Sequence, residues 1–376
     1  MSVFHIETSP FVFDGPAPPE DVVGRDIEIA ALTDRAMHGR FVLLYAPRRY
    51  GKTSLIHRIR SDAAESKELT VVLVDLLGVQ TMDDIGNRIG HSYRELSTSG
   101  FGAALRKLAN RSPELAAEIG IGPAKLGVKR GEVDTPRLLE DLLRLPFDTA
   151  QRTGGRVLIV MDEFQAIADV ANAEAVIRST IQHQRDHVSY LFAGSEQSML
   201  TTIFGDNTAP LYGQAEQFRL GRLFNEALAP FVEDKFTGTG RDVGSALPYL
   251  LDEARGHPQR LAFLAHHLWE ATGVDGVADE ETWRAARAVA MGRSHHEFVA
   301  IDGALEAGQR KTARLLAWDE PLYGAAAGRL GLPKGTARKA AEALERRGLA
   351  WRPFTEGLEL VDPLFAAWLR ERNPQP

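Results

Sequence analysis

The chain has 376 residues, which at roughly 100–200 residues per domain predicts two or three domains. Its 44% hydrophobic content is that of a protein with buried cores and excludes a mainly disordered chain. The absence of cysteine excludes disulfides and thiolate metal sites. The net charge of −7 excludes a nucleic-acid-binding protein that is basic over its whole surface.

Residues 1–20 are predicted to form an extended lead-in. They contain several prolines, which lack an amide donor and restrict the preceding residue. They lack the basic and apolar regions of a signal peptide, and no part of the chain approaches about 18 apolar residues in a row. We therefore expect no membrane anchor and a reducing, cytoplasmic location, although a disulfide-free secreted protein would also lack cysteine.

Short apolar runs in the next part of the chain predict a parallel sheet. They do not alternate with polar residues, as expected of strands covered on both faces, and helical patterns separate most of them. The predicted strands are 41–45, 70–76, 156–162, 188–194 and 217–220. A helical insertion is predicted at 78–152, with helices near 81–97, 100–118 and 136–152.

Strand signals stop near residue 225. Residues 225–305 predict a helical lid that follows a nucleotide-binding domain at 21–224. Residues 306–376 give helix, helix, turn, helix and two short strand-like runs, which is the order of a winged helix-turn-helix.

The sequence YAPRRYGKTSLI follows the first predicted strand and opens a helix. It matches the phosphate-binding template G-x-x-x-x-G-K-[ST], except that Ala46 stands at the first glycine. Backbone amides converge on phosphate at Gly51, where we expect little room for a Cβ, while Lys52 reaches the β- and γ-phosphates and Thr53 holds Mg²⁺. The alternative is a basic strand-to-helix loop in which Gly-Lys-Thr occurs by chance. The buried-type strand before the motif and the helix after it disfavour that alternative. The predicted nucleotide-binding residues of the loop are Ala46, Pro47, Arg48, Arg49, Tyr50, Gly51, Lys52, Thr53 and Ser54.

Two acids end the apolar run VLIVMDEFQ. At the carboxyl end of a parallel strand, Asp162 would face the metal, and Glu163 would orient and polarise the attacking water. Acids also favour a helix start, which is the alternative when this motif is taken alone. The phosphate-binding loop in the same chain favours the Mg²⁺ and water roles.

Three further residues are catalytic candidates. Ser195 follows the fourth strand and contacts either the γ-phosphate or the attacking water, while a helix cap explains it equally well. Arg219 or Arg222 would serve as an arginine finger, although a solvated surface arginine is the commoner case.

These motifs resemble those of the archaeal-type ATPases in the STAND branch of the AAA+ P-loop NTPases. The resemblance spans residues 10–372 and is most specific in VVGRDIEIAAL, APRRYGKTS and VLIVMDEFQ. It implies an α/β P-loop NTPase of the AAA+ type, with a parallel five-stranded sheet flanked by helices, an α-helical lid and a C-terminal winged helix-turn-helix.

The resemblance also implies further nucleotide contacts. Val23, Gly24 and Arg25 would lie near the adenine and ribose, and Pro258 of the GHP motif would approach the nucleotide. In many relatives an arginine follows the glycine that corresponds to Gly213, but this chain has Gln214, which disfavours an inter-subunit arginine contact there.

The C-terminal region is more basic than the rest of the chain. Residues 310–376 contain twelve Lys or Arg and eight Asp or Glu. A recognition helix would use its basic residues on DNA phosphates and bases. Alternatively these residues form a solvated face, and in this branch winged helices often pack on the nucleotide domain. The candidate DNA-binding residues are Lys334, Arg338, Lys339, Arg346 and Arg347.

Together these features predict an ATP-hydrolysing regulatory switch that binds ATP with Mg²⁺ and is left with ADP. Nucleotide would bind between sheet domain and lid and control the placement of lid and winged helix. We expect a protein partner or a second copy of the chain. Two alternatives stay open: a DNA-binding ATPase resembling origin-recognition proteins, and a weakly catalytic nucleotide-binding scaffold.

No further metal site is predicted from the eleven histidines. His266–His267 and His295–His296 are adjacent pairs, which we expect to point to different faces of a helix.

Overall fold

The computed structural model describes residues 8–96, 100–110, 135–195, 197–353 and 357–376. The chain divides into two compact units. The sheet unit comprises Asp26–Ala46 and Lys52–Leu220, and the lid–wing unit comprises the N-terminal residues up to Arg25, Pro47–Gly51 and Gly221–Pro376. Each unit has its own hydrophobic core.

The sheet unit contains a five-stranded sheet in which every neighbouring pair of strands is parallel. The strands lie in the order β2-β3-β4-β1-β5. Strands β1 and β4 are buried along their whole length, and β3 along all but its first residue, which explains their continuous apolar sequences. The predicted parallel sheet is therefore confirmed. The strands are β1 Val42–Tyr45, β2 Leu69–Asp75, β3 Arg156–Asp162, β4 Val188–Gly194 and β5 Glu216–Arg219.

The first helix of the sheet unit precedes β1, and the others lie between its strands. The helices are α1 Asp26–Met37, α2 Lys52–Ser66, α3 Met82–Glu95, α4 Gly100–Ala109, α5 Thr135–Thr153, α6 Ala173–Ile181 and α7 Gln197–Gly205. A capping box between Thr81 and Asp84 fixes the start of α3. The end of the predicted helix 100–118 and the loop after it lie outside the described residues.

The first part of the lid–wing unit is helical. Its helices are α8 Asn225–Thr237, α9 Leu247–Ala254, α10 Pro258–Ala271 and α11 Glu280–Gly303. Apolar side chains from all four helices enter the core of this unit.

The wing follows in the predicted order. Its elements are α12 Ala307–Ala317, α13 Ala325–Arg329, α14 Lys334–Arg346, the antiparallel pair β6 Ala350–Trp351 and β7 Glu359–Leu360, and α15 Pro363–Arg372. Helix α15 was not predicted from the sequence. Asp362 caps it, since its carboxylate accepts hydrogen bonds from the backbone amides of Leu364 and Phe365, and every residue from Pro363 to Leu369 is buried.

The topology of the sheet brings three chain segments together. Strand β1 lies beside β4, and Tyr45 is in register with Gly194. Strand β4 also pairs with β3, which ends at Asp162. Because parallel strands end at one edge of a sheet, the start of the phosphate-binding loop, the two acids and Ser195 share that edge. Within the described ranges, none of the helices combines the length and apolarity needed to cross a bilayer.

Candidate functional site

The phosphate-binding loop leaves β1 at Ala46 and enters α2 at Lys52. Lys52 is 7% exposed, and its Nζ donates a hydrogen bond to the carbonyl oxygen of Ala46 over 2.7 Å. Ala46 is itself buried, so the structure accommodates the methyl group that replaces the usual first glycine. Gly51 has φ +84, and no described atom lies within 4 Å of a Cβ there. The left-handed backbone therefore calls for glycine at this position.

Thr53 and Asp162 form an oxygen pair in the sheet unit. Thr53 Oγ1 donates to Asp162 Oδ2 over 3.4 Å, and Asp162 Oδ1 accepts the backbone amide of Glu163. Neighbouring oxygens around Mg²⁺ lie about 3 Å apart, so the pair fits such an ion. Burial raises the pKa of Asp162, and the Glu163 charge adds to this effect, whereas Lys52 and the amide of Glu163 oppose it. A cation would offset the cost of burying this carboxylate.

Glu163 is held by two donors. Its Oε2 accepts hydrogen bonds from Gln165 Nε2 and, over 3.3 Å, from Ser195 Oγ. Its backbone is left-handed, with φ 51, at the point where β3 passes into the 3₁₀ turn Phe164–Asp169. Such strained positions in non-glycine residues cluster at functional sites. Sequence reasoning identified Glu163 and Ser195 but assigned no role to Gln165, and the only local signal was its position in the string DEFQ.

Gly194 makes room for this arrangement. A Cβ at Gly194 would lie 2.2 Å from Gln165 Oε1 and 3.0 Å from Leu200 Cδ1. Gln165 is 6% exposed, and its Oε1 has no hydrogen-bond partner among the described residues. Glycine at the last residue of β4 therefore leaves space for the side-chain position from which Gln165 reaches Glu163.

The two candidate arginine fingers lie in different units. In the sheet unit, Arg219 Nε donates to the hydroxyl of Tyr45 over 2.7 Å, and its guanidinium stacks over that ring. In the lid–wing unit, Arg222 donates to the carbonyl oxygens of Arg255 and Leu360, each over 3.0 Å. Both side chains are thus anchored locally, and the finger role of either stays a prediction.

The apex of the phosphate-binding loop, Pro47–Gly51, belongs to the lid–wing unit. Tyr50 is fully buried, and its hydroxyl donates to the carbonyl oxygen of Val361 over 3.3 Å. Its ring centroid lies 4.9 Å from that of His257 and 5.0 Å from that of Trp351. We call His257, Trp351 and Val361 the Tyr50 socket. From the sequence, Tyr50 was expected only to contact nucleotide.

His257 is the cap of helix α10, directly before Pro258. Its Nδ1 accepts the backbone amide of Arg260 over 3.2 Å, which requires an unprotonated Nδ1. Burial lowers the pKa of His257 to about 3, so the ring is neutral near pH 7. Pro258, the expected nucleotide contact, is half-buried at the first position of the same helix.

A buried ion pair lies beside the socket. Arg260 is 3% exposed and binds the Asp362 carboxylate through two nitrogens, with Nε 2.9 Å from Oδ1. Burial by itself would raise the pKa of Asp362, but the charge and hydrogen bonds of Arg260 outweigh it, and the pKa lies below its ordinary value. Glu297 is near both Arg260, at 3.9 Å, and Arg49 of the loop, at 3.5 Å.

The VVGR segment also contacts the loop apex within the lid–wing unit. Arg25 is 4% exposed, and its Nη2 donates to the carbonyl oxygens of Gly221, over 2.7 Å, and Tyr50, over 3.5 Å. Gly24 has φ +66, and a Cβ there would lie 2.9 Å from Ala227 Cβ. Val23 packs against the core of the unit.

The basic candidates of the wing lie on or next to α14. Four of the five side chains, Lys334, Arg338, Lys339 and Arg346, are exposed on the helix. Arg347 is also exposed, but it donates to the carbonyl oxygen of Ala304 over 2.9 Å. The structure therefore gives α14 an exposed basic face, in which Arg347 has a structural contact.

Solved structures share this fold. A Walker-type ATPase of Pyrococcus abyssi is 17% identical with a TM-score of 0.68, and the match covers 96% of this chain and 99% of that one. The ORC2 protein of Aeropyrum pernix in its ADPNP–ADP complexes is 16% identical with a TM-score of 0.57, over 97% of this chain and 96% of that one. Its ADP form is 17% identical with a TM-score of 0.53, over 95% and 97%.

No protein-family profile and no curated protein matches the sequence. At the identities of the solved structures, the likeness concerns the fold. The chain has the α/β P-loop fold of the AAA+ type, with a parallel five-stranded sheet, a helical lid and a C-terminal winged helix-turn-helix.

Proposed function

We propose that this protein is an ATP-binding and ATP-hydrolysing regulatory switch of the STAND type, in which the nucleotide state of the phosphate-binding loop controls the lid and the winged helix. The observation that carries the proposal is the burial of Tyr50, at the loop apex, in a socket made by the lid and the wing. A side chain from the loop that binds phosphate thereby holds the segment β7–α15.

ATP binding follows from the chemistry of the loop. The Lys52 ammonium is bonded to the Ala46 carbonyl oxygen, and a phosphate oxygen is a stronger, charged acceptor for the same group. The amides that begin α2 add the positive end of a helix dipole. Nucleotide binding by the Aeropyrum pernix ORC2 protein, which shares the fold, supports this assignment. Val23, Gly24, Arg25 and Pro258 are the further nucleotide contacts in this proposal.

Hydrolysis is assigned to the residues at the edge of the sheet. Glu163, fixed by Gln165 and Ser195, would orient the attacking water and accept hydrogen bonds from it. Thr53 and Asp162 would hold Mg²⁺, which neutralises charge on the phosphates. Arg219 and Arg222 are the finger candidates.

Coupling follows from the covalent continuity of the loop. Residues 47–51 run directly into Lys52, so a change of loop conformation on phosphate binding acts on Tyr50. If the ATP-bound loop withdraws Tyr50, the hydrogen bond to Val361 and the two ring contacts are lost together. By linkage, occupation of the socket then disfavours ATP by the same free energy. We propose that release of the wing exposes a surface for a protein partner or for a second copy of the chain.

Tryptophan fluorescence tests the switch. All five tryptophans belong to the lid–wing unit, and Trp351 lies against Tyr50. ATP with Mg²⁺ should change the emission of the wild type, and Trp351→Phe should remove most of that change while leaving ATP binding intact. Glu163→Gln should bind ATP, hydrolyse it slowly and keep the changed emission.

Three outcomes separate the proposal from its alternatives. If Lys52→Ala binds ATP as tightly as the wild type, the phosphate-binding assignment fails. ATP binding without a Trp351-dependent change in emission would indicate a scaffold rather than a switch. If the wild type hydrolyses ATP no faster than Glu163→Gln, the ATPase assignment fails, while the assignment of ATP binding still stands.

A second candidate function, DNA binding, is favoured by the exposed basic face of α14. Duplex affinity should then fall steeply with salt, since each phosphate contact releases counterions. Arg338→Glu with Lys339→Glu should abolish binding, whereas Arg284→Glu, an exposed arginine on α11, is the control. No binding at low salt, where phosphate contacts are strongest, excludes this candidate.

A further inference from the structure

Helix α10 brings two histidines and a glutamate together on its surface. His266 Nε2 lies 3.4 Å and His267 Nδ1 lies 3.0 Å from the same oxygen, Glu270 Oε2. The ligand atoms of the three residues all lie within 4.8 Å of one another. The adjacent histidines were expected to point to different faces of the helix and to form no metal site, yet both reach the same oxygen of Glu270. Glu270 is three residues from one histidine and four from the other, and both spacings make neighbours on a helix.

We infer that His266, His267 and Glu270 form a binding site for a divalent transition-metal ion of the zinc class. Two ligand atoms of a tetrahedral zinc ion, each about 2.1 Å from the metal, lie about 3.4 Å apart. The distance from His266 Nε2 to Glu270 Oε2 equals that edge length, and the distance from His267 Nδ1, which also corresponds to a hydrogen bond, is somewhat shorter. Two imidazoles and one carboxylate are the ligand set that zinc takes where it keeps a fourth, open position.

The two rings are already held in place. His267 has a 1% exposed side chain, and its ring packs edge-on against Phe263 at 4.8 Å. The His266 ring lies 4.8 Å from that of Phe13, and Phe13 is fixed because its carbonyl oxygen accepts a hydrogen bond from Gln259. Little side-chain entropy remains to be lost when a metal binds. Glu270 is the exposed member, which gives a metal ion access from solvent.

Two charged side chains act electrostatically on this cluster, and replacing them provides a test of metal binding. Asp14 favours positive charge at His266, whereas Arg293 disfavours it at both histidines. Both are exposed, so replacing either should leave the fold intact. A bound cation should therefore be held more weakly in Asp14→Asn and more tightly in Arg293→Gln. A hydrogen-bonded trio without metal affinity would show neither effect.

The test is a zinc titration of the full chain without an affinity tag, in the absence of nucleotide. Calorimetry should give one tight site per chain in the wild type, and zinc should raise the melting temperature, since it binds the folded state. His266→Ala and Glu270→Gln should each weaken binding at least about tenfold. His267 is buried, so its replacement is left out because it would test folding as well.

His91→Ala is the matched control, because His91 and Glu95 form an exposed pair of one histidine and one carboxylate, 3.7 Å apart. It should leave the affinity unchanged, as should Lys52→Ala, which separates this site from the nucleotide site. The inference is overturned if wild-type affinity survives in both His266→Ala and Glu270→Gln, or if His91→Ala loses as much.

Discussion

Gln165 Nε2 donates a hydrogen bond to Glu163 Oε2, and this contact joins a buried amide to the carboxylate of the residue that follows β3. The two residues are two positions apart in the chain, and the left-handed backbone of Glu163 turns its side chain back towards the amide. Ser195 donates to the same oxygen from the end of β4. The carboxylate therefore has one defined position, set by two strands of the sheet.

Gln165→Leu should slow ATP hydrolysis about tenfold without changing ATP affinity. A hydrogen bond to a charged group contributes about 1.5–3 kcal/mol, and about 1.4 kcal/mol corresponds to tenfold in rate. Single-turnover hydrolysis and equilibrium ATP binding measure the two quantities separately. Gln184→Leu, at a buried glutamine that donates to the Leu143 carbonyl oxygen, is the control for a buried amide in the same unit. A faster Gln165→Leu would mean that the amide restrains Glu163 and does not position it.

Gly194→Ala should destabilise the sheet unit by about 1–3 kcal/mol, because its Cβ would overlap Gln165 Oε1. Adding Gln165→Ala removes that overlap, so the double variant should be less destabilised than the sum of the two single variants. Denaturant unfolding followed by circular dichroism measures the cycle. Gly292→Ala, where a Cβ meets open space in a helix, should be neutral or stabilising. Additive single effects at Gly194 and Gln165 would contradict the contact.

The strands and the phosphate-binding loop were predictable because their signals are local. A strand buried on both faces is an apolar run, and Gly51-Lys52 sits between such a run and a helix. Helix α15 was missed although Asp362 and the proline after it are a cap and a first-turn residue. The contact between Tyr50 and Val361 spans 311 residues, and no periodicity of the chain encodes it. Chain folding alone brings such residues together.

Tyr50→Phe should lower the stability of the lid–wing unit by about 1 kcal/mol, since it removes the hydrogen bond to Val361. If ATP binds the state with Tyr50 withdrawn, the same change should raise ATP affinity up to about fivefold, because it weakens the competing state. Tryptophan-detected unfolding and ATP titration measure the two effects.

Tyr93→Phe is the matched control for that prediction. Tyr93 is buried in the sheet unit, and its hydroxyl donates to the Leu142 carbonyl oxygen over 2.8 Å. It should lose similar stability with no gain in ATP affinity. An ATP affinity that falls in Tyr50→Phe would mean that Tyr50 stays in its socket when ATP is bound.

Stability of the lid–wing unit should fall on acidification through His257. Its pKa is lowered by burial to about 3 in the folded chain, with the charges of Arg222 and Arg260 adding to this and Asp362 opposing. The unfolded imidazole, with an ordinary pKa of about 6.5, takes up its proton first as the pH falls. The stability contributed by neutral His257 is therefore complete above pH 6.5 and is lost progressively towards pH 3, at up to about 1.4 kcal/mol per pH unit.

The measurement is tryptophan-detected urea unfolding between about pH 7 and pH 5, above the titration of Asp362, whose pKa is also lowered. His257→Asn keeps a side-chain acceptor at the start of α10 but does not titrate, so its stability should depend less on pH than that of the wild type. His296→Asn, at an exposed position on α11, is the control and should keep the wild-type slope. Equal slopes for the wild type and His257→Asn would show that His257 becomes protonated in the folded chain, and a neutral Nδ1 acceptor at the cap would then be excluded.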